Sequence, residues 1–171
     1  MAEVRSGRTK VGCLMCPPKR KRRCPPEWAR GELVDVRELA GLTTPWMFGA
    51  ASASHAAAFQ QVRDANGFDS QWGARIAERR HRCYNFTTSC VTSWHAAVWP
   101  FESSKLGAAM IAALRGPHAR KMAPHLRPAD FGRFLAKYAR MHTQGRAEEV
   151  AKGDPFIAES FHPDEGYWVS R

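Results

Sequence analysis

Five consecutive cations near the N-terminus are the sharpest chemical feature of the sequence. They follow the Pro17-Pro18 pair and comprise Lys19, Arg20, Lys21, Arg22 and Arg23. Cations at this density repel one another and attract polyanions, because neutralising phosphates releases condensed counterions. The run therefore predicts binding to RNA, to anionic lipid headgroups or to a nuclear import receptor. The alternative is a solvated tail whose charge serves solubility or targeting.

Two further groups of cations lie inside the chain. The first comprises Arg79, Arg80 and Arg82, and the second comprises Arg120 and Lys121. The second group lies in a stretch without acids, from Ser103 to Ala129, which favours contact with a phosphate or an acidic partner. For the first group an exposed face balanced by Glu78 and the C-terminal acids is an equally good interpretation. We predict both groups as partner-binding surfaces.

Cysteines at Cys13, Cys16 and Cys24 could ligate one zinc ion. Two thiolates separated by two residues can chelate a tetrahedral ion, and Cys24 would supply a third ligand. A self-contained zinc site needs a fourth ligand, and the first histidine along the chain is His55. We therefore predict no cofactor and keep zinc as a minor alternative.

Acid–base catalysis has little support in the sequence. His162, Asp164 and Glu165 place an imidazole beside two carboxylates, but in a stretch without periodicity. The other histidines are scattered, and neither a phosphate-binding glycine loop nor an H-E-x-x-H metal motif occurs. An enzyme using these three residues is kept as a hypothesis, but the sequence predicts a protein without catalytic residues.

The composition indicates one folded domain. The chain has 171 residues, 44% of them hydrophobic, which is enough for a core. The longest apolar run, Leu106 to Leu114, is about half of the ~20 residues that span a membrane, so no membrane span is expected. Residues 1–30 hold nine basic and two acidic residues, which gives this segment +7 of the total charge of +10.

Apolar periodicity predicts a mostly α fold of about four helices in a small irregular bundle. The first helix would begin at Thr44 and run to Asn66, and the second would begin at Asp69 and end before Pro100. The third would begin at Ser103 or Ser104 and end at Gly116, and the fourth would follow Pro128. We divide the chain into a basic proline-rich arm (1–30), a helical body (31–145) and an extended aromatic and acidic tail (146–171).

Long arms around a helical body are typical of subunits that fill space in large assemblies. We therefore predict a non-catalytic structural or accessory subunit of a multi-subunit complex, contacting other protein subunits and, through the basic arm, RNA or anionic lipid. A mitochondrial respiratory-chain or ATP-synthase complex, or the mitochondrial ribosome, fits best. The alternative is a nuclear or viral nucleic-acid-binding protein, in which residues 19–23 are an import signal and the cysteines bind zinc.

Overall fold

The computed structural model describes residues 37–80, 84, 97–142 and 158–170. In this part of the chain about half of the residues are helical and strands are few, so the predicted mostly α fold is confirmed. None of the described helices is long and apolar enough to cross a membrane.

Helix α1 spans Leu39–Met47 and begins five residues before the predicted start at Thr44. Its apolar side chains Leu39, Leu42 and Trp46 recur at helical spacing and are buried. Burial of this face against the core outweighs the cost of Pro45 inside the helix. The helix ends where Gly49 adopts a positive φ of 66°, a conformation that a residue with a Cβ rarely takes.

The predicted continuation of this helix to Asn66 is wrong. A separate 3-10 helix spans Ala53–Val62 and buries Ala56 and Phe59. The Phe59 ring meets the Trp46 ring with centroids 5.4 Å apart, so the two helices share one aromatic contact. A second short helix, α3, spans Ala119–Met122.

The predicted helix from Asp69 is also wrong where the structure describes it. Residues 69–79 form turns and bridges to other segments of the chain. Gly73 has a φ of 152°, which breaks helical geometry after the first residues of the segment. At the predicted end of this helix, residues 97–99 are not helical and Val98 bridges Arg75 and Phe161. Residues 81–83 and 85–96, which include Cys83, Cys90 and Trp94, fall outside the described residues.

Helices α2 (Pro100–Arg115) and α4 (Pro128–Met141) confirm the two other predictions, with earlier starts. Each has its proline at the first helical position, where the missing N–H costs no hydrogen bond. Pro100 therefore begins a helix, whereas we expected it to end one. We expected the buried face of α2 to comprise Leu106, Met110, Ala113 and Leu114. The first three are fully buried, whereas Leu114 is partly buried.

Packing of α2 against α1 and α4 forms the main hydrophobic core. Close approach of α2 to α4 requires Gly107, because a Cβ there would lie 2.9 Å from a ring carbon of Phe134. A smaller cluster joins Val98, Met141 and Phe161. The main core therefore joins α2 to its neighbours along residues 106–113.

Short extended segments meet at that end and form what we call the strand ladder (residues 38, 75–77, 98, 160–161 and 168–170). Antiparallel bridges join Glu38 to Ala77, Arg75 to Val98, and Val98 to Phe161. Strand β1 (Ser160–Phe161) then pairs with β2 (Trp168–Ser170). The ladder ties the segments before α1 and α2 to the C-terminal hairpin, so residues distant in sequence share one surface.

Candidate functional site

Four glutamates lie on or next to the strand ladder. Glu38 belongs to the ladder and directly precedes α1, and Glu78 follows the bridged residue Ala77. Glu102 lies in the first turn of α2, and Glu159 directly precedes β1. Carboxylates at one end of a helical fold are suited to protonate or deprotonate a bound molecule.

Glu38 has the environment of a proton donor. Its side chain is half-buried, and burial together with the negative charge of Glu102 raises its pKa from 4.5 to about 7. Both causes disfavour the ionised form, so a large share of Glu38 carries its proton at neutral pH. A protonated carboxyl group at this pH can serve as a general acid.

Glu102, by contrast, has both carboxylate oxygens occupied. Thr43 Oγ1 of α1 donates to Oε1 at 2.7 Å, and Lys105 Nζ donates to Oε2 at 2.9 Å. The residue is 4% exposed, so bulk water reaches it poorly. Its partners link α1 to α2 beside the ladder.

Glu78 is held in a similar way from the other side. Its carboxylate accepts from the Arg37 backbone N–H at 3.0 Å and from the Arg37 guanidinium at 2.7 Å. Arg80 Nε lies 3.6 Å from the same carboxylate. Glu78 is buried and therefore acts as a structural link between residue 37 and the segment after Ala77.

Glu159 differs from these buried groups because it is exposed. Two residues later Phe161 exchanges backbone hydrogen bonds of 2.9 and 3.0 Å with Val98, which lies two residues before α2. The rings of Trp99 and Phe101, with centroids 4.9 Å apart, follow Val98. An exposed carboxylate and an aromatic pair therefore flank the N-terminus of α2.

A buried arginine stabilises the hairpin that carries Glu159. Arg75 is 1% exposed, and its guanidinium donates to Asp164 Oδ1 at 2.8 Å and to the Ala65 carbonyl at 3.3 Å. It also donates to the Asp69 carbonyl. Because a buried cation is stable only when its donors are satisfied, these contacts fix the hairpin turn against residues 65–75.

The sequence matches the model of the mannosylglycerate hydrolase MGH1-like glycoside hydrolase domain over residues 8–170. The match covers nearly the whole chain. The protein belongs to this glycoside hydrolase family. No curated protein matches the sequence closely enough to add to this assignment.

Among solved structures, the glycoside hydrolase chain is similar to one titled sialidase. The two share 27% sequence identity with a TM-score of 0.64, and the match covers 78% of this chain and 12% of that chain. This chain therefore corresponds to a small part of the much longer sialidase chain.

The family assignment overturns the functional prediction. A non-catalytic structural or accessory subunit is wrong, and so are the expectations of no enzyme and of a ribonucleoprotein or respiratory-chain role. We predicted a structural subunit because we interpreted the basic arm (1–30) and the aromatic tail (146–171) as docking elements. The charge and aromatic content of these segments do not identify a reaction, and their contact with a partner stays a prediction.

His162, which the enzyme hypothesis used as an acid–base group, has a different role in this glycoside hydrolase domain. Its Nδ1 accepts from the backbone N–H groups of Asp164 at 3.3 Å and Glu165 at 3.1 Å. Its ring stacks on Tyr167 with centroids 4.8 Å apart, and burial lowers its pKa. A neutral imidazole that accepts two amide protons stabilises the turn.

The predicted basic groups lie on separate elements. Arg79 lies 3.8 Å from Asp164, and Arg80 contacts both Asp64 and Glu78. Arg120 and Lys121 are exposed on α3. Their binding to polyanions stays a prediction. Residues Lys19, Arg20, Lys21, Arg22, Arg23 and Arg82 fall outside the described residues.

The zinc hypothesis also concerns undescribed residues, since Cys13, Cys16 and Cys24 precede residue 37. Within the described ranges, the structure brings together no group of three or more histidine, cysteine, aspartate or glutamate side chains that could hold a metal ion. Zinc binding by the three cysteines stays a prediction.

A cavity of about 180 Å³ lies between the 3-10 helix, residues 69–74 and α4. Its apolar wall includes Phe59 and Phe134. Its charged groups are engaged with one another: Lys137 Nζ donates to Asp69 Oδ1 at 2.5 Å, and Arg133 pairs with Asp130. Because these charged groups are paired with one another, we look for the chemistry at the ladder rather than at this cavity.

Sequence reasoning missed all four ladder glutamates. One signal was available for Glu102, because a proline at the first helical position followed by an acid in the first turn marks a helix start. The segment Pro100–Glu102 has this pattern, but we took Pro100 as a helix stop. No comparable signal marks Glu38, whose raised pKa depends on burial and on the charge of Glu102 in α2.

Proposed function

We propose that the protein hydrolyses glycosidic bonds, with Glu38 as general acid and Glu159 as the carboxylate that activates water. The observation that carries the proposal is the pKa of Glu38, raised to about 7 beside a second carboxylate in a chain of a glycoside hydrolase family. Glycoside hydrolases commonly use two carboxyl groups, one protonated and one ionised. The half-buried Glu38, with its raised pKa, would supply the protonated group, and we assign the second carboxyl group to the exposed Glu159.

The reaction breaks the bond between the anomeric carbon and the leaving oxygen. Glu38 donates its proton to that oxygen as the bond breaks, and the alcohol leaves neutral. Water attacks the anomeric carbon, and Glu159 accepts the proton that the water loses. The two carboxyl groups exchange protonation states, and solvent restores them before the next turnover.

The aromatic pair Trp99 and Phe101 supports a sugar-binding role for the same surface. Aromatic faces offer apolar contact area to the C–H faces of a sugar ring, while nearby polar groups bind its hydroxyls. Phe101 is 54% exposed, and the Lys105 ammonium lies 4.3 Å from its ring centroid. The arrangement combines apolar contact area with charge at the N-terminus of α2.

The test is hydrolysis of a panel of glycosides by the purified chain. The names of the similar proteins select two members, mannosylglycerate and a sialoside, and neutral α- and β-glucosides complete the panel. We expect release of free sugar from at least one member. Glu159→Gln should lower kcat by about 10²–10⁴-fold, the range for loss of an acid or base catalyst.

Glu165→Gln is the matched control, because Glu165 is an exposed glutamate in the same hairpin. It should keep kcat within about twofold of the unchanged chain, since surface substitutions have small effects. Absence of hydrolysis across the panel would contradict the proposed function. An equal loss in both variants would contradict the role of Glu159.

A further inference from the structure

The turn of the C-terminal hairpin is closed by hydrogen bonds that converge on His162. Its ring Nδ1 accepts from the backbone N–H groups of Asp164 at 3.3 Å and Glu165 at 3.1 Å. The Tyr167 ring stacks on the imidazole, and the Tyr167 carbonyl accepts from the backbone N–H of His162 at 2.8 Å. Two amide groups of the turn therefore depend on a ring nitrogen that has to remain an acceptor.

The same turn is docked on the body of the protein. Trp72 donates its backbone N–H to the Pro163 carbonyl at 3.1 Å. The buried Arg75 guanidinium donates to Asp164 Oδ1 at 2.8 Å. Because the His162 ring holds the backbone of Asp164, the state of the ring also bears on this ion pair.

The chemistry of the imidazole makes this arrangement sensitive to protonation. A histidine ring accepts a hydrogen bond only in its neutral form, because both ring nitrogens of the cation are donors. Protonated Nδ1 would face two backbone N–H groups with a third N–H, and the turn would lose both bonds. We propose that His162 is a pH-sensitive switch, whose neutral ring closes the turn on Trp72 and Arg75 and whose protonated ring opens it.

The surrounding charges set the direction of the response. Glu165 and Asp164 favour the protonated ring, and Arg79, 3.8 Å from Asp164 Oδ1, partly compensates that carboxylate. Burial, assisted by the charge of Arg75, outweighs both and lowers the pKa of His162 from 6.5. The closed turn thus binds a proton less readily than the open turn. Its stability is fully present above about pH 6.5 and is lost as the pH falls through the lowered pKa.

The measurement is amide hydrogen exchange of the full chain, followed by NMR from about pH 5 to about pH 7.5 and divided by the intrinsic rate at each pH. The N–H groups of Asp164 and Glu165 report on the ring, and that of Trp72 reports on docking. We expect the protection of all three to be constant above about pH 7 and to fall severalfold toward pH 5. Protection that does not change over this range would overturn the inference.

Three variants assign the response to His162. His162→Asn places a side-chain carbonyl oxygen, which accepts but does not titrate, near the position of Nδ1, and should keep protection high at both ends of the range. His162→Leu removes the acceptor and should lower protection at both ends. His118→Asn is the matched control, since His118 precedes α3 and makes no side-chain capping hydrogen bond there. It should keep the pH dependence of the unchanged chain.

The asparagine variant also separates the switch from titration of the neighbouring carboxylates. If Asp164 or Glu165 were the responding group, protection would still fall with pH in His162→Asn, and that result would overturn the inference. Should His162→Leu not fold, the comparison of His162→Asn with the unchanged chain decides alone. The inference concerns the docking of the hairpin and is measured without a substrate, so it stands or fails independently of glycoside hydrolysis.

Discussion

The helical core and the strand ladder differ in the interactions that specify them: apolar periodicity within one segment for the core, and pairing between distant segments for the ladder. In α2 and α4 the buried residues recur at helical spacing within one segment, and burial of that face stabilises the element. In the ladder, single bridges join residues as far apart as Val98 and Phe161. The helices of the core are thus specified by local patterns, whereas the ladder depends on contacts between residues that are distant in the sequence.

We therefore expect the core to determine the stability of the protein and the ladder to carry the residues of the proposed reaction. The core contributes apolar burial, while the ladder gathers the glutamates from four separate parts of the chain. A site built this way can hold a protonated carboxyl group, because the surrounding helices withhold water from it. We expect core substitutions to act on stability and ladder substitutions to act on the site and its hairpin.

The largest expected effect on stability belongs to Leu106→Ala in α2. Leu106 is fully buried in the main core, so its truncation removes apolar burial and leaves a cavity. We expect a loss of about 3 kcal/mol in the free energy of unfolding, measured by urea denaturation. Leu135→Ala is the control, since Leu135 is 45% exposed on α4, and it should change stability by less than about 0.5 kcal/mol. Equal losses would contradict the assignment of the core.

A pair of glycine substitutions compares the two regions directly. Gly166 in the hairpin has a φ of 73°, and a Cβ there would overlap the buried Trp72 ring. Gly166→Ala should therefore cost about 2 kcal/mol through strain and overpacking. Gly132 in α4 has open space around it, so Gly132→Ala should stabilise by about 0.5–1 kcal/mol through helix propensity. The midpoints of thermal unfolding should move in opposite directions, and two shifts of the same sign would refute the comparison.

Most of the helical core was predictable from the sequence. The apolar face of α2 and its stop at Gly116 follow from spacing and from glycine, and α4 follows Pro128 as expected. The errors lie where tertiary contacts override a local pattern. Proline is best suited to the start of a helix, yet Pro45 lies inside α1, because Leu39 and Leu42 are buried against the core.

The site was not predictable for the same reason. We predicted a helix from Asp69 onward, but Gly73 turns the chain. Ile76 instead donates its N–H to the carbonyl of Ala97, next to the ladder residue Val98. The raised pKa of Glu38 depends on burial and on Glu102, which lies 64 positions away in the sequence. Neither cause is visible in the residues next to Glu38.

The most direct test of the account compares leaving groups in the Glu38→Gln variant. An alkyl glycoside needs a proton on its leaving oxygen, whereas a dinitrophenyl glycoside of the same sugar leaves without one. We predict that kcat/KM of the variant falls by about 10²–10⁴-fold on the alkyl glycoside and by less than about tenfold on the dinitrophenyl glycoside. Equal losses on both substrates would contradict the assignment of Glu38 as general acid. No hydrolysis of either substrate by the unchanged chain would contradict the proposed function itself.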